Sequence, residues 1–218
     1  MRREAPPHVA LVGDSDISRW PAQLLPSAPT CSPSSKPIVR GRSGATLDEL
    51  APMVDSALAD IPNSPINGCS IILVLCAGEN DLGQGYSIGR VISSFEAAID
   101  ACFVWQLRQQ CKVNVIFLGP KFEPWLIDDH AARKQYLKLS KGIRRVAERH
   151  EHSSHITYVD CLTMFCGDSA DVAGALTSRA VPERKYFHDD GLHLSNEGYK
   201  IWKGIVESEV RQRGICKC

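Results

Sequence analysis

The sequence predicts an α/β fold, a three-layer α/β/α sandwich in which helices cover both faces of a parallel sheet. Short apolar runs alternate with longer segments of helical period, which is typical of βα units. The run CSIILVLCA at Cys69–Ala77 is apolar throughout, as expected of a strand covered on both faces. The 218 residues also fit one hydrophobic core. We therefore expect a single domain over residues 1–218, with frayed tails at 1–7 and 214–218.

Five segments are predicted to be strands because they are short, apolar and bounded by turn residues. In chain order they are His8–Gly13, Pro37–Arg40, Cys69–Ala77, Lys112–Gly119 and His155–Asp160. Apolar residues near helical spacing predict four helices. These are Thr46–Ala59, Ile88–Gln110, Asp128–Glu151 and Asn196–Arg213, the last with Ser195 as its N-cap.

Two longer segments carry no clear period. The segment Pro21–Ser35 is rich in Pro and Ser and is expected to be a loop or a broken helix. The segment Cys161–Phe187 is expected to be an irregular crossover that shapes one side of a site.

Charge and composition favour a small partner. Lys plus Arg and Asp plus Glu both number 25, and no segment concentrates enough basic residues to indicate a nucleic-acid or membrane surface. The first apolar run, Val9–Val12, is too short for a signal-peptide core or a membrane span. We therefore expect a soluble protein that is cytoplasmic or otherwise intracellular.

Nine cysteines are present. Four of them, Cys69, Cys76, Cys102 and Cys161, fall in or beside apolar segments, which indicates reduced thiols rather than disulfides. The terminal pair Cys216 and Cys218 could oxidise or bind a metal, but a C-x-C tail without a second ligand pair is weak evidence for either.

Four short motifs carry groups suited to acyl transfer. They are Gly13-Asp14-Ser15, Gly41–Gly44, Gly78-Glu79-Asn80-Asp81 and Asp190-Gly191-Leu192-His193. The first three follow strand ends directly, and the fourth follows the last strand after a long connection. Because the carboxyl ends of parallel strands meet at one edge, all four are expected at one site. Together they offer a hydroxyl nucleophile, a histidine base, a carboxylate and oxyanion donors.

In this order and at these separations, the motifs resemble the SGNH (GDSL-type) hydrolase superfamily over Val9 to about Trp202. The resemblance implies a flavodoxin-like strand order, Ser15 as the nucleophile, His193 as the base and Asp190 as the group that orients the base. It also implies an oxyanion hole made by the backbone N–H groups of Ser15 and Gly44 and the amide of Asn80. No metal or cofactor is required.

Elementary chemistry supports the same residues independently. A serine hydroxyl is a weak nucleophile until a base takes its proton, and histidine can do so near neutral pH. A carboxylate three residues before the histidine can reach its ring N–H if the loop turns, and Gly191 permits that turn. The Asn80 amide is a neutral donor, which costs less free energy to bury than a charge.

Several neighbouring groups compete for these roles. Asp189 adjoins Asp190, but the motif spacing selects Asp190, and His188 has no partner by spacing. Asp81 is expected to be a structural hydrogen-bonding residue. The group of His150, His152 and His155 with Glu151 resembles a metal cluster but runs from a helix end through a polar turn into a strand, so a solvated turn is preferred.

One residue departs from the family pattern, which usually has an aliphatic side chain after the nucleophile. Here that residue is Asp16, and we prefer a helix-capping role for it. The departure makes the choice of substrate less certain than the catalytic mechanism. Asp16, Trp125 and Phe187 are the candidate pocket residues.

The expected activity is hydrolysis of a small-molecule carboxylic ester through an acyl-enzyme on Ser15. Short acyl or O-acetyl groups are favoured because no long apolar lid is evident. Two alternatives stay open: an acyltransferase that uses the same acyl-enzyme, and a non-catalytic module that binds a small ligand or a carbohydrate. A nucleotide binder is disfavoured because the first turn lacks the G-x-G-x-x-G and P-loop patterns.

Overall fold

A five-stranded parallel sheet forms the centre of the molecule. The computed structural model describes residues 7–26, 36–61, 70–167 and 181–212. The strands are β1 (His8–Gly13), β2 (Ile38–Gly41), β3 (Ser70–Cys76), β4 (Lys112–Leu118) and β5 (Ile156–Val159). Their order is β2-β1-β3-β4-β5, and each neighbouring pair is parallel. This is the flavodoxin-like order, so the predicted fold class is confirmed.

Six α-helices surround the sheet in the described part of the chain. They are α1 (Ser15–Ser18), α2 (Leu50–Ala59), α3 (Glu79–Gly83), α4 (Ile88–Gln109), α5 (His130–Arg149) and α6 (Asn196–Gln212). The four predicted helices correspond to α2, α4, α5 and α6, whereas α3 lies on a segment for which no helix was expected. Short 3₁₀ turns at Ala22–Leu24, Leu47–Glu49, Pro124–Ile127, Ser153–His155 and Arg184–Tyr186 complete the connections.

Successive side chains of each strand point to opposite faces of the sheet, so the strands contribute to two apolar cores, one on each face. On one face, Ala10, Leu73 and Val115 join a cluster built from α2, α4 and α5. On the other face, Leu11 and Val74 join a cluster that includes Trp202 and Val206 of α6. The helices therefore form the outer two layers of the sandwich.

Local chemistry explains where the helices begin and end. The segment predicted from Thr46 starts as a 3₁₀ turn with a capping box between Thr46 and Glu49, and the α-helical part begins only at Leu50. The fifth helix starts two residues later than predicted because the Asp129 carboxylate caps it, accepting the N–H of Ala132 at 2.8 Å.

Some expectations concern residues outside the described ranges. The predicted tails at 1–7 and 214–218 lie outside the described residues, except for residue 7. Cys69, Cys216 and Cys218 lie outside the described residues as well. Residues 27–35 and 168–180, inside the two predicted irregular segments, lie outside as well. Within the described ranges, Cys76, Cys102 and Cys161 are buried and form no disulfide, in keeping with the reduced state predicted for them. No helix in these ranges is both long enough and apolar enough to cross a membrane.

Candidate active site

The first motif forms the turn between β1 and α1. The Asp14 carboxylate caps α1 by accepting the backbone N–H of Asp16 at 3.0 Å, and Ser15 is the first residue of the helix. The turn is fixed from two sides, since the Asp14 N–H donates to the Cys76 carbonyl at 3.1 Å and the Tyr199 hydroxyl donates to the Asp16 carbonyl at 2.8 Å. The predicted nucleophile therefore sits on a short, tightly held turn.

The fourth motif is a compact turn that joins the predicted base to its carboxylate. Asp190 Oδ2 lies 2.7 Å from His193 Nδ1. Asp190 Oδ1 accepts the backbone N–H groups of Leu192 at 2.9 Å and His193 at 3.0 Å. Gly191 has a φ of +64°, the left-handed conformation that glycine adopts without strain, so the turn has the form that the sequence predicted.

These hydrogen bonds also set the charge of Asp190. Partial burial acts to raise the pKa of this carboxyl, but the N–H of His193, the His193 ring and the N–H of Leu192 together lower it below its ordinary value. Asp190 is consequently ionised at neutral pH. A charged carboxylate against Nδ1 holds the hydrogen on that nitrogen and leaves Nε2 as the basic atom.

The second and third motifs meet through hydrogen bonds. Asn80 Nδ2 donates to the carbonyl of Ala45 at 3.0 Å, and Ala45 directly follows Gly44. The Asp81 carboxylate accepts the N–H of Leu47 at 3.0 Å, in keeping with the structural role predicted for it. Burial raises the pKa of Asp81 to about 6. An amide nitrogen carries two hydrogens, so Asn80 keeps one for a ligand.

One cavity brings three of the four motifs together. It has a volume of about 840 Å³, and Ser15, Asn80, Asp190 and His193 all line it. Trp125, one of the candidate pocket residues, also lines it and is 45% exposed. The other described residues of the wall are Asp14, Glu79, Leu82, Gly83, Gln84, Gly85, Tyr86, Ser87, Ile88, Lys121, Ala132, Gln135, Tyr136 and Leu192.

Three predicted site residues, Gly44, Phe187 and Asp16, are absent from this lining. Gly44 is exposed on the turn before Ala45 and is not part of the cavity wall. Phe187 is 5% exposed and belongs to the apolar core, where its ring packs on Phe165, so the pocket role expected for it is wrong. The rival candidates His188 and Asp189 are exposed and are likewise not part of the lining.

Asp16 has neither of the roles weighed for it. The N-cap of α1 is Asp14, because its carboxylate accepts the backbone N–H of the residue two positions later in the chain. Asp16 is 2% exposed, does not line the cavity, and forms an ion pair with Lys121 Nζ at 2.7 Å. The helix-capping and pocket interpretations of Asp16 are therefore corrected to a buried ion pair.

Glu79 and Lys121 were not singled out from the sequence, yet both line the cavity. Lys121 Nζ binds Glu79 Oε2 at 2.6 Å, and the Lys121 N–H donates to Glu79 Oε1 at 2.7 Å. Burial, followed by the nearby Glu123 carboxylate, raises the pKa of Glu79 to about 8. The sequence signal that could have identified them is their position, since both are charged residues just past the carboxyl ends of β3 and β4.

Two groups of potential metal ligands have other partners. Asp14, Asp16 and Cys76 bring possible ligand atoms within 4.8 Å of one another. However, the Lys121 ammonium already binds Asp16, and burial raises the pKa of the Cys76 thiol, which keeps it protonated. The rings of His150 and His152 pack against Phe103 at a tilt of 31°, and both residues are partly buried, so they are less solvated than predicted.

Comparison with known proteins identifies the fold and the family. The model of the GDSL-like lipase/acylhydrolase family matches residues 10–201. A search of curated proteins finds no match. Two solved structures illustrate the similarity, although identities this low show the fold alone. A GDSL-like lipase from Bacteroides thetaiotaomicron has 17% identity and a TM-score of 0.61, covering 94% of this chain and 88% of its own. A carbohydrate esterase family 3 protein from Talaromyces cellulolyticus has 18% identity and a TM-score of 0.58, covering 94% and 97%.

Proposed function

Because the chain belongs to the GDSL-like lipase/acylhydrolase family and is an esterase of that family, we propose that it cleaves short-acyl carboxylic esters through an acyl-enzyme on Ser15. The observation that carries the proposal is the Asp190–His193 pair, with its 2.7 Å contact, on the same cavity as Ser15. A serine that shares a cavity with an oriented histidine is the arrangement that nucleophilic acyl transfer needs.

In the first half-reaction, Ser15 Oγ attacks the ester carbonyl carbon and passes its proton to His193 Nε2. The carbonyl π electrons move to oxygen, and the resulting oxyanion accepts hydrogen bonds from the second N–H of Asn80 and from the backbone N–H groups of Ser15 and Gly44. The tetrahedral intermediate then expels the alkoxide, which takes the proton from His193. Ser15 is left acylated.

In the second half-reaction, His193 takes a proton from water, and the hydroxide formed attacks the acyl carbon. The bond from the acyl carbon to Ser15 Oγ breaks, and His193 returns the proton to Oγ. The products are a carboxylic acid and the free enzyme. Asp190 remains ionised and stabilises the imidazolium in both steps.

The chemistry of the cavity supports a short acyl group. Glu79 and Lys121 place ionisable groups in its wall, so a long alkyl chain laid there would meet polar rather than apolar surface. Trp125 offers an exposed indole face whose Nε1 is held by Glu123 at 2.5 Å. Such a face can pack against a bulkier alcohol, including a sugar ring.

The test compares wild type with Ser15→Ala. We expect the wild type to hydrolyse p-nitrophenyl acetate faster than p-nitrophenyl octanoate and to react covalently with a fluorophosphonate at Ser15. The Ser15→Ala variant should fold but lose both properties. Full activity in that variant would refute the mechanism. A wild-type protein that does not react with the fluorophosphonate at Ser15 would favour a binding module. Added alcohol that diverts acyl groups from water to ester products would favour an acyltransferase.

A further inference from the structure

A buried cluster of charges lies beneath the cavity and is centred on Lys121. The lysine is 1% exposed, and its Nζ lies 2.7 Å from Asp16 Oδ2, 2.6 Å from Glu79 Oε2 and 2.8 Å from Glu123 Oε1. Asp16 and Glu123 are equally buried, at 2% and 0%. A lysine removed from water retains its charge only when carboxylates surround it, and these three raise its pKa despite the opposing effect of burial.

The three carboxylates belong to three separate parts of the site. Asp16 directly follows Ser15, and Glu79 directly precedes Asn80. Glu123 accepts hydrogen bonds from Trp125 Nε1 at 2.5 Å and from the Tyr136 hydroxyl at 3.3 Å. One ammonium group therefore joins the turn of the nucleophile, the helix of the oxyanion donor and the aromatic wall of the cavity.

Asp16 depends on this ammonium more than the other two carboxylates do. Its Oδ1 atom is buried and has no hydrogen-bond partner among the described residues, so Lys121 balances the side chain through Oδ2. Glu79 by contrast also receives the Lys121 backbone N–H, and Glu123 has two further donors. Without Lys121, Asp16 would be a buried carboxylate with no partner.

The position of Asp16 gives this dependence a chemical consequence. Negative charge develops on the substrate oxygen during acyl transfer, and an uncompensated carboxylate next to the nucleophile would oppose it. The other ionisable groups around the cluster add no cation, since they are Asp14, Cys76, Tyr136 and Tyr199. Among the described residues that line the cavity, Lys121 is the one lysine or arginine.

We propose that Lys121 is a positioning residue for ester hydrolysis, which neutralises and holds Asp16 so that an acid can stand beside the nucleophile without opposing the oxyanion. The inference rests on the proposed function, because it matters only if Ser15 forms the acyl-enzyme. Lys121 acts through Asp16 and the Ser15 turn, and it takes no part in bond making itself.

A double-mutant cycle tests the pair, using Lys121→Met, Asp16→Leu and the double variant. Rates of p-nitrophenyl acetate hydrolysis are expressed per site titrated by a fluorophosphonate, so that unfolded protein does not count. Lys121→Met should lower kcat at least about tenfold with KM within about threefold, because the loss arises in the transition state. Asp16→Leu alone should leave kcat within about threefold of the wild-type value, since the Lys121 ammonium still pairs with Glu79 and Glu123.

The decisive result is the double variant. Replacing both members of a buried ion pair by apolar residues removes the uncompensated charge, so kcat should return to within about threefold of the Asp16→Leu value. A double variant as slow as Lys121→Met would overturn the proposal, as would wild-type kcat in Lys121→Met. Should Lys121→Met not fold, Lys121→Gln, which keeps N–H donors, takes its place in the cycle with the same criteria.

Two controls separate this proposal from others. Lys200→Met removes a lysine from an exposed pair with Glu197 and should leave kcat unchanged. The labelling of wild-type Ser15 and the inactivity of Ser15→Ala decide the proposed function by themselves. A wild-type enzyme that labels and turns over, combined with a cycle that shows no coupling, would reject the role of Lys121 alone.

Discussion

Replacement of Asp190 by asparagine is the sharpest test of how the site holds its histidine. In the wild type, Oδ2 faces His193 Nδ1 at 2.7 Å, while Oδ1 accepts two backbone N–H groups at 2.9 and 3.0 Å. An amide has only one oxygen. Because the two backbone donors are fixed by the turn, we expect them to keep that oxygen and to leave the NH₂ group facing Nδ1.

An NH₂ donor against Nδ1 reverses the tautomer of the imidazole. Nδ1 must then accept a hydrogen bond, so the ring hydrogen moves to Nε2, the atom that should take the proton of Ser15. In a Ser-His-Asp site the same carboxylate-to-amide change lowers kcat about 10⁴-fold, equivalent to about 5.5 kcal/mol of transition-state stabilisation. The Asp190 side chain is 42% exposed and can rotate, so we expect a loss between about 10² and 10⁴.

The assay is steady-state hydrolysis of p-nitrophenyl acetate, accompanied by thermal unfolding. Asp190→Asn should lower kcat with little change in KM, while the fold persists because the backbone hydrogen bonds of the turn remain. Asp189→Asn is the matched control, since Asp189 is an exposed neighbour and should retain wild-type kcat. Asp190→Asn with more than a tenth of wild-type kcat, or an equal loss in Asp189→Asn, would refute the assignment.

Three further predictions follow from individual contacts. Asn80→Ala should lower kcat by about 100-fold to 1000-fold with KM nearly constant, and an unchanged kcat would remove this amide from the oxyanion hole. The pKa of Asp81 is raised by burial to about 6 from an ordinary 3.8, so between these values the folded state holds a proton that the unfolded state has lost. The free energy of unfolding should therefore fall as pH rises from 3.8 to 6, by up to about 1.4 kcal/mol per pH unit, and denaturant unfolding of Asp81→Asn should show a shallower fall. A Cβ at Gly41 would lie 2.1 Å from the Ser18 backbone nitrogen, so Gly41→Ala should displace α1 and cost about 1–3 kcal/mol in the same measurement; an unaltered unfolding midpoint would contradict this.

The fold followed from local patterns in the chain. The apolar run of β3 and the helical spacing of α4 are properties of a few adjacent residues, and both elements lie within one residue of their predicted ends. The helix α3 escaped prediction because five residues are too few to show a period and because Asn80, Asp81 and Gly83 favour a turn. Tertiary hydrogen bonds from Asn80 to Ala45 and from Leu47 to Asp81 hold that short helix in place.

The sequence by itself determined the sheet, the layers and the four motifs, because strand period, helix period and glycine turns depend on neighbours in the chain. It could not determine which side chains meet beneath those motifs. Asp16, Glu79 and Lys121 are separated by tens of residues and carry charges that would ordinarily predict an exposed surface. Only the parallel ordering of β1, β3 and β4 brings their ends together. Little water reaches these side chains at that edge, so the negative charges of the carboxylates are balanced by the ammonium of one lysine. Asp16, the acid beside Ser15, is therefore part of the interior.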